Sequence, residues 1–149
     1  MCTSIDSTHM LPFRVEFKPG VSPYRQIIYA VEKSLVCGQL RPGDPFPSVR
    51  SLSQAFKINP NTAHKVVAEL IRRELLEVRS GIGTIVADTP PPLPRERSAL
   101  LKDDLERLVV EAKRMSLELE DLVEAVEQHW MRLSERKSSE RVEAVKPRR

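Results

Sequence analysis

Asn59-Pro60-Asn61-Thr62-Ala63-His64-Lys65-Val66-Val67-Ala68-Glu69-Leu70-Ile71-Arg72 is the stretch on which the fold turns. Asn59 carries a short side-chain oxygen suited to an N-cap, and Pro60 fits the first helical position, where a missing N–H costs nothing. Ala63, Val66, Val67, Leu70 and Ile71 then make one continuous apolar stripe at helical spacing. At about 100° per residue, Asn61, Lys65, Ala68 and Arg72 fall together on the opposite side, with His64 near its edge. This helix has one side to bury and a polar, partly basic side to spare.

Working back along the chain, Lys57-Ile58-Asn59 is a short connection to a second helix, which Ser48 caps and in which Val49, Leu52 and Phe56 form the apolar side. Arg41-Pro42-Gly43-Asp44-Pro45 is a turn. Ser22-Pro23 pairs an N-cap hydroxyl with a proline at the first helical position, and Ile27, Ile28, Val31 and Leu35 follow at helical spacing. A first helix is therefore predicted from about Pro23 to Cys37, with Gly38 suiting its end and Cys37 a small buried hydrophobe. Phe13, Val15 and Phe17 alternate with Arg14, Glu16 and Lys18, the period of a half-buried strand ended by Lys18-Pro19-Gly20.

Working forward, Leu76 to Arg79 and Thr84 to Ala87 are β-prone runs around Ser80-Gly81-Ile82-Gly83, whose glycines permit the positive φ of a tight hairpin. Three helices followed by a hairpin is the order of a winged helix-turn-helix. The predicted fold class is mainly α with a small β-wing: a winged helix-turn-helix over residues 12–88, plus a short C-terminal helical dimerisation segment.

Four of the five residues Pro90-Pro91-Pro92-Leu93-Pro94 are proline, so residues 89–97 read as a stiff linker. Beyond it, over residues 98–134, Leu101, Leu105, Leu108, Ala112, Met115, Leu119, Leu122 and Val126 alternate spacings of four and three without a miss. An isolated helix with such a seam exposes a long apolar stripe, and a second copy of the protein is the expected partner. Leu117 lies off the seam and Ser116 could cap a new helix, so one rod and two helices with a break near Met115 to Glu118 both stay open. His129 and Trp130 suit dimer packing. Residues 1–11 are set aside as a flexible tail, and residues 135–149, charged and little else, as a disordered basic one.

The 149 residues allow one domain, or a small domain with an appendage. With 40% apolar and 30% charged residues but few aromatics, the chain suits a modest aliphatic core. Cys2 and Cys37 match no metal-ligand or disulfide spacing, no apolar run is long enough to span a bilayer, and Met1 to Leu11 lack the features of a signal peptide. A cytoplasmic protein without metal, cofactor or membrane contact is expected. Its net charge of +3 is unevenly spread: residues 12–88 carry 11 Lys+Arg against 7 Asp+Glu, and residues 95–134 carry 7 against 10. The candidate nucleic-acid surface is the basic front part.

Leu40-Arg41-Pro42-Gly43-Asp44, Phe46-Pro47-Ser48-Val49-Arg50, Asn59-Pro60-Asn61-Thr62 and Gly81-Ile82-Gly83-Thr84-Ile85-Val86, read in order, resemble the GntR family of bacterial regulators over about Val21 to Ala87. The Asn-Pro-Asn-Thr turn, the N-terminal strand and a short two-helix tail look like its YtrA-type branch, which lacks the large effector domains of its relatives. The resemblance implies a DNA-binding transcription regulator, in the main a repressor, acting as a homodimer on a palindromic operator in double-stranded DNA. Carried over by residue, it implies that Arg50 contacts phosphate or a base. Asn61, Thr62, His64 and Lys65 would occupy recognition-helix positions, and Ser80 and Gly81, with Arg79 beside them, the wing. The chain departs from some relatives in having Pro60 and His64 where they carry arginines.

Two other classes are weighed against this. A winged-helix module could use its third helix to meet an acidic protein instead of DNA. An enzyme has less to support it: no Ser/His/Asp arrangement, no paired carboxylates in a plausible cleft and no phosphate-binding glycine loop. The tail is too short to announce a ligand pocket, so an unidentified small-molecule effector stays open as a further partner.

Overall fold

The structure is a computed structural model; it describes residues 11–88 and 90–143, with side chains for 11–88 and 90–134. The chain divides into two compact units, Met1–Thr89 and Pro90–Arg149. Residues 1–10 and 144–149, where the two flexible tails are expected, lie outside the described residues.

In the first unit α1 (Pro23–Val36), α2 (Val49–Phe56) and α3 (Pro60–Arg72) precede a hairpin of β1 (Leu76–Arg79) and β2 (Gly83–Val86). The two strands are antiparallel, with Leu76 opposite Val86 and Arg79 opposite Gly83. The loop between them is Ser80-Gly81-Ile82, closed by the Ile82 amide donating to the Arg79 carbonyl at 3.1 Å. Gly81 and Gly83 take φ of 79° and 103°, the left-handed values this loop requires.

The apolar stripe of α3 is the centre of the core. Ala63, Val66 and Leu70 are fully buried and Val67 nearly so. Around them close Ile27 and Val31 of α1, Leu52 of α2, Leu76 and Val86 of the hairpin, and Phe13 and Phe46. Each large side chain buried in this way contributes about 1.5–3 kcal/mol. The segment before α2 joins the hairpin as well: the Phe46 amide donates to the Thr84 carbonyl and the Val86 amide to the Asp44 carbonyl, both at 2.9 Å. The turn expected at Arg41 to Pro45 is thereby an anchor for the wing.

Phe13 to Phe17 does not form the expected strand. Its side chains do alternate, with Phe13 buried, Val15 half-buried and the arginine and glutamate between them exposed. The rings stack onto the core, Phe13 on Phe46 at 5.7 Å and Phe17 edge-on to Phe56 at 5.6 Å. Among the described residues no strand pairs with this segment, and Leu11, inside the presumed tail, also packs on the core. Gln26 secures the end of the segment: its side-chain oxygen accepts from the Lys18 amide at 2.6 Å and its amide donates to the Val21 carbonyl at 2.8 Å. Ser22, expected to cap α1, makes no side-chain cap bond.

Glu69 anchors the ion-pair network that joins α3 to α1 through Arg73. It takes a two-pronged bond from Arg72 at 2.8 and 2.6 Å and a third from Arg73 at 2.8 Å, while Arg73 also pairs with Glu32 of α1. The hydrogen bonds from Arg72 and Arg73 hold the Glu69 carboxyl at about 2, down from 4.5. Because the folded-state value is depressed, this stabilisation is fully present above about pH 4.5 and is lost as pH falls toward 2. Melting temperatures of the wild type and Glu69→Gln should differ most above pH 4.5 and converge near pH 2; a pH-independent difference would remove the titration from the explanation.

The second unit is helical. α4 (Pro94–Ala99) passes through a wide π-helical turn (Leu100–Asp104) into α5 (Leu105–Arg114), and α6 runs Leu119–Glu143. α4 begins inside the stretch expected to be linker, because Pro94 is its first helical residue and the Glu96 carboxylate accepts from the Leu93 amide at 2.9 Å. α6 extends beyond residue 134 into the segment expected to be disordered. The seam is carried by two helices: the break falls at Met115 to Glu118, where Ser116 takes φ of 57° and ends α5 instead of capping α6.

Candidate nucleic-acid interface

The turn between α2 and α3 sets how the polar side of α3 is presented. Lys57 ends α2 in the left-handed conformation, φ 51° and ψ 47°, with its amide bonded to the Ser53 carbonyl. The Ile58 amide reaches the same carbonyl at 3.1 Å, and the Ser53 hydroxyl donates to the Ile58 carbonyl at 2.7 Å. Ser53 thus locks both sides of the turn. Asn59 caps α3 through its side-chain oxygen, which accepts from the Asn61 amide at 2.8 Å, and Ser48 caps α2 by accepting from the Ser51 amide at 3.1 Å.

With the stripe of α3 in the core, its other side faces solvent. Asn61, His64, Lys65, Ala68 and Arg72 are exposed, and Thr62 is half-buried. The side chains of Lys65 and His64 make no hydrogen bond or ion pair among the described residues, and the same holds for the side chain of Arg50, exposed in the first turn of α2. Ser80 and Gly81 are exposed at the hairpin tip.

Two cations on this side are engaged within the chain. Arg72 is held by Glu69, and Arg79 donates to the Glu77 carboxylate at 2.7 Å. Lys65 and Arg50 are therefore the free positive charges among the predicted contact residues. Thr62 and Lys65 also line an open cavity of about 530 Å³, together with Lys57, Asn59 and Tyr24. Neither Lys57 nor Tyr24 is among the contact residues expected from the sequence; the signal for Lys57 is a lysine placed in the turn immediately before the α3 cap. Arg50 and the wing tip make no hydrogen bond to the α3 face.

In the second unit, most of the seam is solvent-exposed in the single chain: Leu101 (63%), Leu105, Leu108, Met115, Leu119 (68%) and Val126. Leu122 is half-buried and Ala112 buried. The apolar surface extends past the seam to Val110, Val123 and Trp130. No helix among the described residues is long and apolar enough to cross a membrane, and no cluster of His, Cys, Asp and Glu there could hold a metal ion.

The model of the bacterial regulatory proteins of the gntR family matches residues 23–86, from the start of α1 to the end of the hairpin. The uncharacterized HTH-type transcriptional regulator YhcF of Bacillus subtilis is 32% identical over 74% of this chain and 92% of its own length. The HTH-type transcriptional repressor YtrA of the same organism is 33% identical over 70% of this chain and 82% of its own length. Among solved structures, a transcriptional antiterminator from Listeria monocytogenes superposes with a TM-score of 0.70 at 23% identity, covering 81% of this chain and 91% of the other. A GntR family transcriptional regulator from the same species gives 0.58 at 23% identity, over 75% and 98%. At that identity both speak for the fold alone. With the wing, the capped α3 and relatives matched over most of their length, the chain belongs to the gntR family of bacterial regulatory proteins, in its YtrA-type branch.

Proposed function

We propose that this regulator is a repressor that binds a palindromic operator as a homodimer in the cytoplasm. The observation that carries the reading is the solvent-facing side of α3, polar from Asn61 to Lys65 and without internal side-chain partners for His64 and Lys65, on a helix whose opposite side packs into the core. Asn61, Thr62, His64 and Lys65 contact DNA from the recognition-helix side, Arg50 holds a phosphate or a base, and Ser80 and Gly81 approach the minor groove. Arg79 joins them only by giving up Glu77. The exposed seam pairs two subunits so that their α3 helices enter successive major grooves roughly 34 Å apart.

Arg50→Ala tests it. The substitution removes an exposed side chain without internal bonds, so melting temperature and oligomeric state should stay at wild-type values while operator affinity falls by on the order of 10²- to 10⁴-fold, since the dimer loses one such contact in each subunit. Anisotropy titrations with operator and scrambled duplexes give the measurement. Equal affinity of variant and wild type for operator would count against the reading, as would a wild type unable to tell operator from scrambled DNA; the latter points to α3 as a protein-docking helix.

A further inference from the structure

The cavity beside α3 has a lining of unusual charge. Lys57 from the turn and Lys65 from α3 both border it, with Tyr24 from the start of α1, and no carboxylate does. Neither lysine ammonium has an ion-pair or hydrogen-bond partner among the described residues, whereas Arg72, Arg73 and Arg79 nearby in sequence are all paired with glutamates.

Lys57 is also in an unfavourable place for a lysine. Its φ of 51° is a conformation in which a Cβ is costly and glycine is at ease. The fold asks only for the backbone there, since Lys57 and Ile58 bond to Ser53 through their own main-chain atoms alone and the Lys57 side chain is exposed. The ammonium contributes nothing to the core, so its use is to be sought outside the chain.

We propose that the cavity takes a phosphate of the DNA backbone, gripped by Lys57 and Lys65 as the strand leaves the groove read by α3. The cavity shares Thr62 and Lys65 with the groove-facing side, so an anion seated in it is continuous with the same ligand. This rests on the DNA-binding reading of α3 and adds a contact that positions the duplex without reading its sequence. The chemistry would equally suit free inorganic phosphate, and the two sources part in the experiment.

Full-length Lys57→Gly is compared with wild type and Lys57→Arg. Glycine relieves the backbone, so the melting temperature should hold or rise, which separates a binding defect from a folding one. In a salt series with operator duplex, the slope of log K against log salt should become shallower by about 2 per dimer, one phosphate per subunit. Affinity for operator and for scrambled duplex should fall by the same factor, and Lys57→Arg should keep the wild-type slope. An unchanged slope for Lys57→Gly overturns the proposal, and so does a changed ratio between the two duplexes. In a parallel titration of DNA-free protein with inorganic phosphate, saturable shifts of the Ile58 and Thr62 amides together with an unchanged DNA slope would assign the cavity to a small anion and overturn the DNA assignment. If wild type lacks operator preference altogether, the parent reading falls with this one; if the preference is intact and only the slope is unmoved, the phosphate contact alone is lost.

Discussion

Glutamate placed at Leu108 and Leu122 together should turn the protein into a monomer and weaken operator binding by on the order of 10²- to 10⁴-fold, the advantage that linked half-sites confer. Leu108 is exposed in α5 and Leu122 half-buried in α6, both on the seam that repeats from Leu101 to Val126. In a dimer each leucine is removed from water twice, once per subunit, at about 1.5–3 kcal/mol for a fully buried side chain. Carboxylates at those points replace that gain with buried, like-signed charge. The substitutions lie in the second unit, so the first unit should keep its melting transition and a monomer should still grip a half-site weakly. Sedimentation would give the mass and anisotropy the affinity. A variant that remains dimeric, or a monomer that binds operator as tightly as wild type, would show that the seam serves something other than pairing.

The parts legible in the sequence are those in which a local rule and a tertiary demand coincide. Asn59 and Ser48 are good caps by residue type, and each does accept an amide hydrogen bond at the start of its helix. The α3 stripe is read from spacing and is buried because the other elements have nowhere else to place their apolar sides. Where two tertiary outcomes satisfy one pattern, the sequence is ambiguous. Alternation at Phe13, Val15 and Phe17 suits a strand or an extended arm, and among the described residues the segment packs its rings on the core without pairing to a strand. Spacings of four and three from Leu101 to Val126 persist across the break because they do not register Ser116 turning to positive φ.

At the site, position on a helix is legible and engagement is not. Arg72 and Lys65 sit on the same side of α3 by periodicity, yet Arg72 is held by Glu69 three residues back and Lys65 is left free. Glu69 belongs to neither stripe, so a hydrophobic pattern passes over it. Lys57 escapes notice for a related reason: its interest lies in a left-handed φ, and a lysine gives no warning of one.

Leu70→Ala should cost about 2–5 kcal/mol, a large loss of stability for a single change in the first unit. Leu70 is fully inaccessible at the point where α3 meets the rest of the core, in one cluster with Val66, Leu52 and Leu76. The cost combines lost transfer energy with a cavity that rigid neighbours on three elements cannot close. Set against a total of about 5–15 kcal/mol for a domain, it should lower the melting temperature by on the order of 10–30 °C. Ala68→Ser, two residues away but on the exposed side, should stay within about 0.5 kcal/mol of wild type. The pair separates two roles of one helix, since Leu70→Ala leaves every groove-facing side chain chemically intact. Below its own melting transition that variant should still discriminate operator from scrambled duplex, and above it discrimination should vanish in step with the loss of helicity by circular dichroism. A variant that keeps wild-type stability would mean that the α3 stripe is not the keystone of the core, and one that is stable but blind to the operator would mean that the exposed side depends on the core for more than its position.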